Sequence, residues 1–134
     1  MDLRKLIGLR LGPGPWWEID RLSLDRFWQA LDYQGHEAPV PILYLLALLP
    51  ALSSGLNLPL PAPRTTINYG LNSLAAGVAC QIGDRIRVHA TVSGAEWLGE
   101  PGGRTPLQIS RRVGIENEGS EHVLMAETVS RLVF

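Results

Sequence analysis

The sequence predicts an α+β fold in which an antiparallel sheet wraps around one long buried helix. An apolar run from Val40 to Leu52 predicts the helix, because a helix that is apolar on every side is surrounded on most of its circumference. The second half of the chain alternates apolar and polar residues in segments joined by tight turns. That pattern is typical of antiparallel strands.

A short strand and a helix are expected before the buried helix. Residues 16–20 (WWEID) alternate enough for the strand, and Ser23 is suited to cap the helix that follows. Gly35 is expected to end that helix. Its apolar face is predicted to consist of Leu24, Phe27, Trp28 and Leu31.

The buried helix is expected to span Ile42–Leu52, with Pro41 in its first turn, where a missing N–H costs nothing. Residues 53–55 (SSG) stop it, and the prolines of residues 57–63 require an extended crossing. We therefore expect the chain to leave this helix and enter the sheet directly.

About four strands are predicted after residue 63. They fall in the segments 64–72, 83–98, 105–116 and 122–134, with turns at 99–105 and 116–121. In the second segment one face should hold Ile86, Val88, Ala90 and Val92, and the other Arg85, Arg87, His89 and Thr91. A sheet of this kind leaves a helix face or an edge available for pairing, so we expect a dimer.

Composition excludes several classes of function. The 134 residues fit one domain (1–134), and 46% hydrophobic with 19% charged residues is an ordinary globular balance. A net charge of −1 without a basic stripe argues against nucleic-acid binding. The single cysteine allows no intramolecular disulfide. The apolar run is too short to span a membrane, and the N-terminal residues do not resemble a secretory signal, so we expect a cytoplasmic location.

Four collinear segments resemble the MaoC-like dehydratase family, which includes the (R)-specific enoyl-CoA hydratases and has the hot-dog fold. Residues 67–88 are similar to its signature strand pair through Asn68-Tyr69-Gly70, Leu71-Asn72 and the run from Gly83 to Arg87. The other three segments are residues 11–31, 40–50 and 126–132. The resemblance covers nearly the whole chain and implies a hot-dog fold.

The resemblance also implies an activity and a site. Members of the family add water to, or remove it from, acyl thioesters of coenzyme A or acyl carrier protein. An Asp/His pair handles the protons, and N–H groups at the start of the buried helix polarise the thioester carbonyl. The candidate catalytic residues are Asp32, Tyr33 and His36, and the candidate substrate-binding residues are Ile42, Asn68, Tyr69 and Gly70. No cofactor or metal is expected.

The catalytic region departs from the family pattern. Counted from Phe27, the family's Asp and His fall on Tyr33 and Ala38, while Asp32 and His36 are displaced and are four residues apart. The segment that normally separates the pair from the buried helix is missing. Val40-Pro41-Ile42 replaces Ala-His-Gly at the helix start, and residues 74–77 (LAAG) replace Val-Arg-Phe-Pro.

Three hypotheses remain open. The leading one is an acyl-thioester-associated hot-dog protein with altered or lost catalysis, paired with itself or with a paralogue. The second is an active (R)-specific hydratase or 3-hydroxyacyl dehydratase using the shifted Asp32/His36 pair. The third is a thioesterase, for which Glu37 is the nearest carboxylate because Ile42–Leu52 contains none.

The remaining polar and aromatic residues are interpreted structurally. Asp84 is expected in a turn, Cys80 in the core, and His89 on the outer face or at a dimer contact without a metal. Trp16 and Trp17 are expected to pack. The arginines at 85, 87, 104, 111 and 112 are candidates for coenzyme A phosphates, but we interpret them as the solvated face of the sheet.

Overall fold

The computed structural model describes residues 2–32, 40–100 and 106–134. A short 3-10 helix, Leu3–Lys5, precedes the first strands. The short elements are β1 (Arg10–Leu11) and β2 (Trp17–Glu18), and the helices are α1 (Arg21–Ala30) and α2 (Ile42–Leu52). The long strands are β3 (Thr65–Ala76), β4 (Arg85–Trp97), β5 (Leu107–Asn117) and β6 (His122–Val133).

The strands form one antiparallel sheet. Its order is β1-β4-β5-β6-β3, and β2 also pairs with β4. β3 pairs with β6 along one side, so its other side is the long edge of the sheet in the part of the chain that the structure describes. The predicted α+β fold, an antiparallel sheet around a buried helix, is confirmed.

The core lies between α2 and the inner face of the sheet. Ile86, Val88, Ile115 and Leu124 from the three central strands are all 0% exposed. Ala90 and Val92 are also buried, so the predicted alternation of the second strand segment is confirmed. The inner face is apolar because successive side chains of a strand point to opposite sides of the sheet.

The composition of helix α2 had suggested that it is surrounded on most of its circumference. The described residues instead cover one side of it. Tyr44, Leu45, Leu49 and Leu52 are buried, but Leu43 is 59% exposed. The sheet reaches only one side of the helix, and among the described residues nothing covers Leu43. None of the described helices is long and apolar enough to cross a membrane.

Asp20, rather than Ser23, caps α1. The Asp20 carboxylate accepts a 2.6 Å hydrogen bond from the Ser23 N–H. The Ser23 hydroxyl is instead hydrogen-bonded to the hydroxyl of Tyr44, so it ties α1 to α2. Burial raises the pKa of the Tyr44 hydroxyl, which keeps it neutral.

Helix α1 is shorter than predicted. It ends at Ala30, well before Gly35, which lies outside the described residues. Leu24 is buried, and Phe27 and Trp28 pack against the core, but Leu31 is 58% exposed. The periodic pattern therefore predicted the packed face correctly at Leu24, Phe27 and Trp28. The predicted helix was about one turn longer than the observed one.

Candidate functional site

A cavity of about 440 Å³ lies between α2 and the inner face of the sheet, beside the edge strand β3. Its apolar wall comes from the second half of α2, including Leu46, Leu49 and Pro50, and from Val113 on β5. Its polar wall comes from Asn68, Arg111, Thr128 and Ser130. A mostly apolar cavity with a few polar groups is typical of a small-molecule site.

Arg111 faces this cavity and not the solvated side of the sheet, which corrects our interpretation of that arginine. It is in phase with Ile109 and Val113, both of which are buried on the inner face. Its guanidinium donates a 3.3 Å hydrogen bond to the Ser130 hydroxyl. Burial lowers the pKa of the Arg111 guanidinium, because desolvation disfavours its charged form.

The other arginines of that group behave differently. On the outer face Arg87 pairs with Glu116 at 2.6 Å, and Arg85 pairs with Glu118 at 3.5 Å. Both guanidiniums also lie over the ring of Trp16, so this tryptophan packs as predicted. Arg112 is exposed, and Arg104 lies outside the described residues.

Two of the predicted substrate-binding residues of β3 line the cavity. Asn68 and Gly70 are in its wall, whereas Tyr69 is 57% exposed and is stacked under the Arg131 guanidinium at 3.5 Å. The β3–β6 register shifts between Asn68 and Gly70, which leaves Tyr69 without a partner residue on β6. Asn68 and Gly70 are two residues apart on the strand, so they share a side while Tyr69 points away.

The start of α2 has two backbone N–H groups without an acceptor among the described residues. Pro41 is the N-cap residue and contributes no side-chain hydrogen bond. Its carbonyl accepts from Tyr44 and Leu45, so the described residues provide no acceptor for the N–H groups of Ile42 and Leu43. A helix N-terminus with free donors is suited to a developing negative charge.

Of the proposed acid/base residues, the structure describes Asp32 alone. Asp32 is exposed at the end of α1, with a φ of 51°, and its N–H donates to the Gln29 carbonyl. Within the described ranges no side-chain hydrogen bond or ion pair joins its carboxylate to another residue. Tyr33, His36, Glu37 and Ala38 lie outside the described residues.

Cys80 and Asp84 have the structural roles that the sequence predicted. Cys80 is 1% exposed, burial raises the pKa of its thiol to about 11, and its carbonyl accepts from the Val40 N–H. Asp84 closes the turn before β4 by accepting a 2.9 Å hydrogen bond from the Gln81 N–H. Cys80 is therefore not suited to act as a nucleophile.

A pair of histidines on the outer face was not anticipated. The Nε2 atoms of His89 on β4 and His122 on β6 are 3.1 Å apart, above Gly114 of the strand between them. A Cβ atom at Gly114 would lie 2.6 Å from the His89 ring, so the glycine makes room for the pair. The described residues contain no group of three or more side chains suited to hold a metal.

The His89 environment predicts a pH dependence of stability. Its pKa is lowered mainly by burial and also by the charges of His122, Arg10 and Arg87, which outweigh the opposing effect of Glu116. As the pH falls below the ordinary histidine pKa of about 6.5, the unfolded chain therefore binds more protons than the folded chain does. We expect the stability due to neutral His89 to be present above that pH and to be lost as the pH falls through the folded pKa.

Urea denaturation between neutral and mildly acidic pH measures this effect. The free energy of unfolding of the wild type should fall more steeply with decreasing pH than that of His89→Gln. Equal slopes for the two proteins would show that His89 is not responsible.

Comparison with known proteins defines the fold. No protein-family model matches the sequence, and no curated protein is significantly similar to it. Solved structures do match. A monoamine oxidase regulatory protein from Archaeoglobus fulgidus has a TM-score of 0.79 at 14% identity, with 95% of this chain and 90% of that chain covered.

Two further structures carry enzyme names. The MaoC-like dehydratase from Rhodospirillum rubrum has a TM-score of 0.73 at 17% identity, covering 100% of this chain and 98% of its own. A chain of the HadBC (3R)-hydroxyacyl-ACP dehydratase complex from Mycobacterium tuberculosis has a TM-score of 0.69 at 13% identity, covering 94% and 96%.

These matches extend over whole chains at low sequence identity, so they establish the architecture. The chain is a hot-dog protein. More particularly, it has the form of the hot-dog fold seen in MaoC-like dehydratases.

Proposed function

We propose that this chain is a MaoC-like hot-dog protein that binds an acyl thioester in the cavity beneath α2 and has altered or lost hydratase chemistry. The cavity of about 440 Å³, with Asn68 and Gly70 in its wall, is the observation that carries the proposal. Its apolar wall suits an acyl chain. The thioester carbonyl would lie near the N–H groups of Ile42 and Leu43, for which the described residues provide no acceptor.

The proposal of altered catalysis rests on the sequence at the expected acid/base positions. Tyr33 and Ala38 stand where the family has its Asp and His. A phenol does not replace a carboxylate as a base near neutral pH, and a methyl group cannot transfer a proton as an imidazole does. Asp32, which directly precedes Tyr33 in the sequence, is exposed beyond the end of α1.

Activity assays separate this proposal from its alternatives. Purified protein incubated with crotonyl-CoA and longer enoyl-CoAs should show no hydration that depends on Asp32 or His36. Hydration abolished by both Asp32→Ala and His36→Ala would instead establish the shifted pair as an active hydratase. Release of free coenzyme A from saturated acyl-CoAs would establish the thioesterase alternative, and Glu37→Gln would test its carboxylate.

Calorimetric titration with octanoyl-CoA tests binding itself. We expect saturable binding with one site per chain. Absence of binding to any acyl-CoA or acyl carrier protein thioester would refute the proposal.

We also propose that the chain is one half of a dimer formed along β3. Almost all of this long edge strand is exposed, including Ile67 and Tyr69, which are 46% and 57% exposed. An open edge with apolar side chains is a surface for pairing with another strand. Either a second copy or a hot-dog paralogue would complete the sheet. We also propose that the protein is cytoplasmic.

Light scattering of two matched variants tests the dimer. Ile67→Lys on the edge should weaken association, whereas Met125→Lys, at a similarly exposed position on the interior strand β6, should not. Loss of association in both variants would point to a surface other than the edge. A wild-type protein that is monomeric at micromolar concentration and co-purifies with no hot-dog partner would contradict the dimer.

A further inference from the structure

Arg111 places a positive charge in the wall of a cavity that is otherwise suited to an alkyl chain. It belongs to the inner-face row of β5, where its neighbours Ile109 and Val113 are 0% and 8% exposed. Every other residue of that row is apolar, from Leu107 to Ile115. A guanidinium in this row is unfavourable for the core, so it requires a compensating partner.

The described residues do not provide a negative partner. The only side-chain hydrogen bond of Arg111 within the described ranges is the 3.3 Å bond to the neutral hydroxyl of Ser130. The ion pairs of the described residues involve Arg4, Arg85 and Arg87. Because a guanidinium has five N–H donors, most of the donors of Arg111 are available to a molecule in the cavity.

The place of the cavity along α2 shows which part of a ligand would meet this charge. The cavity contacts the second half of the helix, at Leu46, Leu49, Pro50 and Ser53. Pro50 is eight residues after Ile42, which is about 12 Å along a helix axis at 1.5 Å per residue. A thioester group held at the start of α2 would therefore point the far end of its acyl chain toward Arg111.

We propose that the cavity selects acyl thioesters whose acyl chain ends in a carboxylate, with Arg111 binding that carboxylate. The planar guanidinium matches a carboxylate in a two-point contact. The side chains of Asn68, Thr128 and Ser130 line the same cavity and supply further hydrogen-bonding groups. The inference rests on the proposed acyl-thioester function and specifies the substrate class of that site.

The same charge disfavours ordinary fatty acyl chains. A terminal methyl group at Arg111 would displace water from the guanidinium and return no hydrogen bond. A site built around a polar partner rejects the analogue that lacks it. The preference should therefore exceed what the apolar wall alone would produce.

Calorimetric titration with matched coenzyme A thioesters tests the proposal. Adipyl-, suberyl- and sebacyl-CoA are compared with hexanoyl-, octanoyl- and decanoyl-CoA. We expect at least one dicarboxylic thioester to bind about 10- to 100-fold more tightly than its equal-length partner, the range of a charge-assisted hydrogen bond. Arg111→Met should remove that preference, and Arg111→Lys should retain part of it.

Arg112→Met is the matched control, because Arg112 is the next residue of the same strand and is exposed on the outer face. It should leave the preference unchanged. Equal binding of the two ligand series by the wild type, a measurement that needs no variant, would overturn the inference. So would a preference that survives in a folded Arg111→Met protein.

The two proposals fail differently. Binding of all three fatty acyl-CoAs as tight as that of their equal-length dicarboxylic partners would leave the acyl-thioester function standing and remove only the role of Arg111. Absence of binding in both series would remove the function and the inference together.

Discussion

Replacing Gly77 with alanine is expected to destabilise the folded chain by about 3 kcal/mol, close to the upper end of the usual cost of overpacking. A Cβ atom at this position would overlap the carbonyl oxygen of His122 and lie 2.7 Å from its carbonyl carbon. The obstacle is backbone, which cannot rotate away as a side chain can. Gly77 and Val78 also donate hydrogen bonds to the carbonyls of Val123 and His122, so the strain falls on the pairing that leads into β6.

Thermal and urea unfolding measure this effect, with a fall in melting temperature of roughly 10 °C expected for a domain of this size. Gly70→Ala is the matched control. A Cβ atom at Gly70, on β3, would meet nothing within 4 Å, so its free energy of unfolding should change little. Similar losses in the two variants would show that the effect comes from glycine replacement in general and not from the contact with His122.

Replacing Ile115 with alanine is expected to cost about 3 kcal/mol, within the range found for truncating a buried isoleucine. Ile115 is 0% exposed, and its pairing partners Val88 on β4 and Leu124 on β6 are also 0% exposed. The cavity left by the missing methylene and methyl groups lies between three central strands, which cannot collapse easily to fill it.

The free energy of unfolding in urea measures the loss. Ile7→Ala removes the same atoms from a side chain that is 52% exposed and should cost less than about 1 kcal/mol. A comparable loss at both positions would contradict the assignment of Ile115 to the central core.

The three central strands supply a fully buried part of the core. The core of β4, β5 and β6 is complete, with Ile86, Val88 and Leu124 fully buried.

Much of the fold could be predicted from the sequence because strand and helix periodicity are local properties of the backbone. The alternation of residues 83–98 gave the burial of Ile86, Val88, Ala90 and Val92 correctly. Helix ends were predicted less well. Gly35 was expected to end α1, but the helix ends at Ala30, because capping and packing decide an end and periodicity does not.

The candidate site could be predicted only in part. Asn68 and Gly70 were named from the resemblance and line the cavity. Tyr69 was named with them, but it lies between them on the strand and points to the other side. Arg111 was available in the sequence as a charged residue in phase with Ile109 and Val113. Its charge suggested a solvated position. Its place in the alternation with Ile109 and Val113 would have predicted the inner face correctly.

The sequence by itself determined which segments are strands, which helix is buried and which side chains can share a face. It could do so because side-chain direction repeats every two residues in a strand and about every 3.6 in a helix. Only the tertiary structure decided what those faces enclose. Whether Arg111 meets solvent or a cavity, and whether His89 meets His122, depends on the separation of α2 from the sheet and on strand register. Both arise from contacts between residues far apart in the chain.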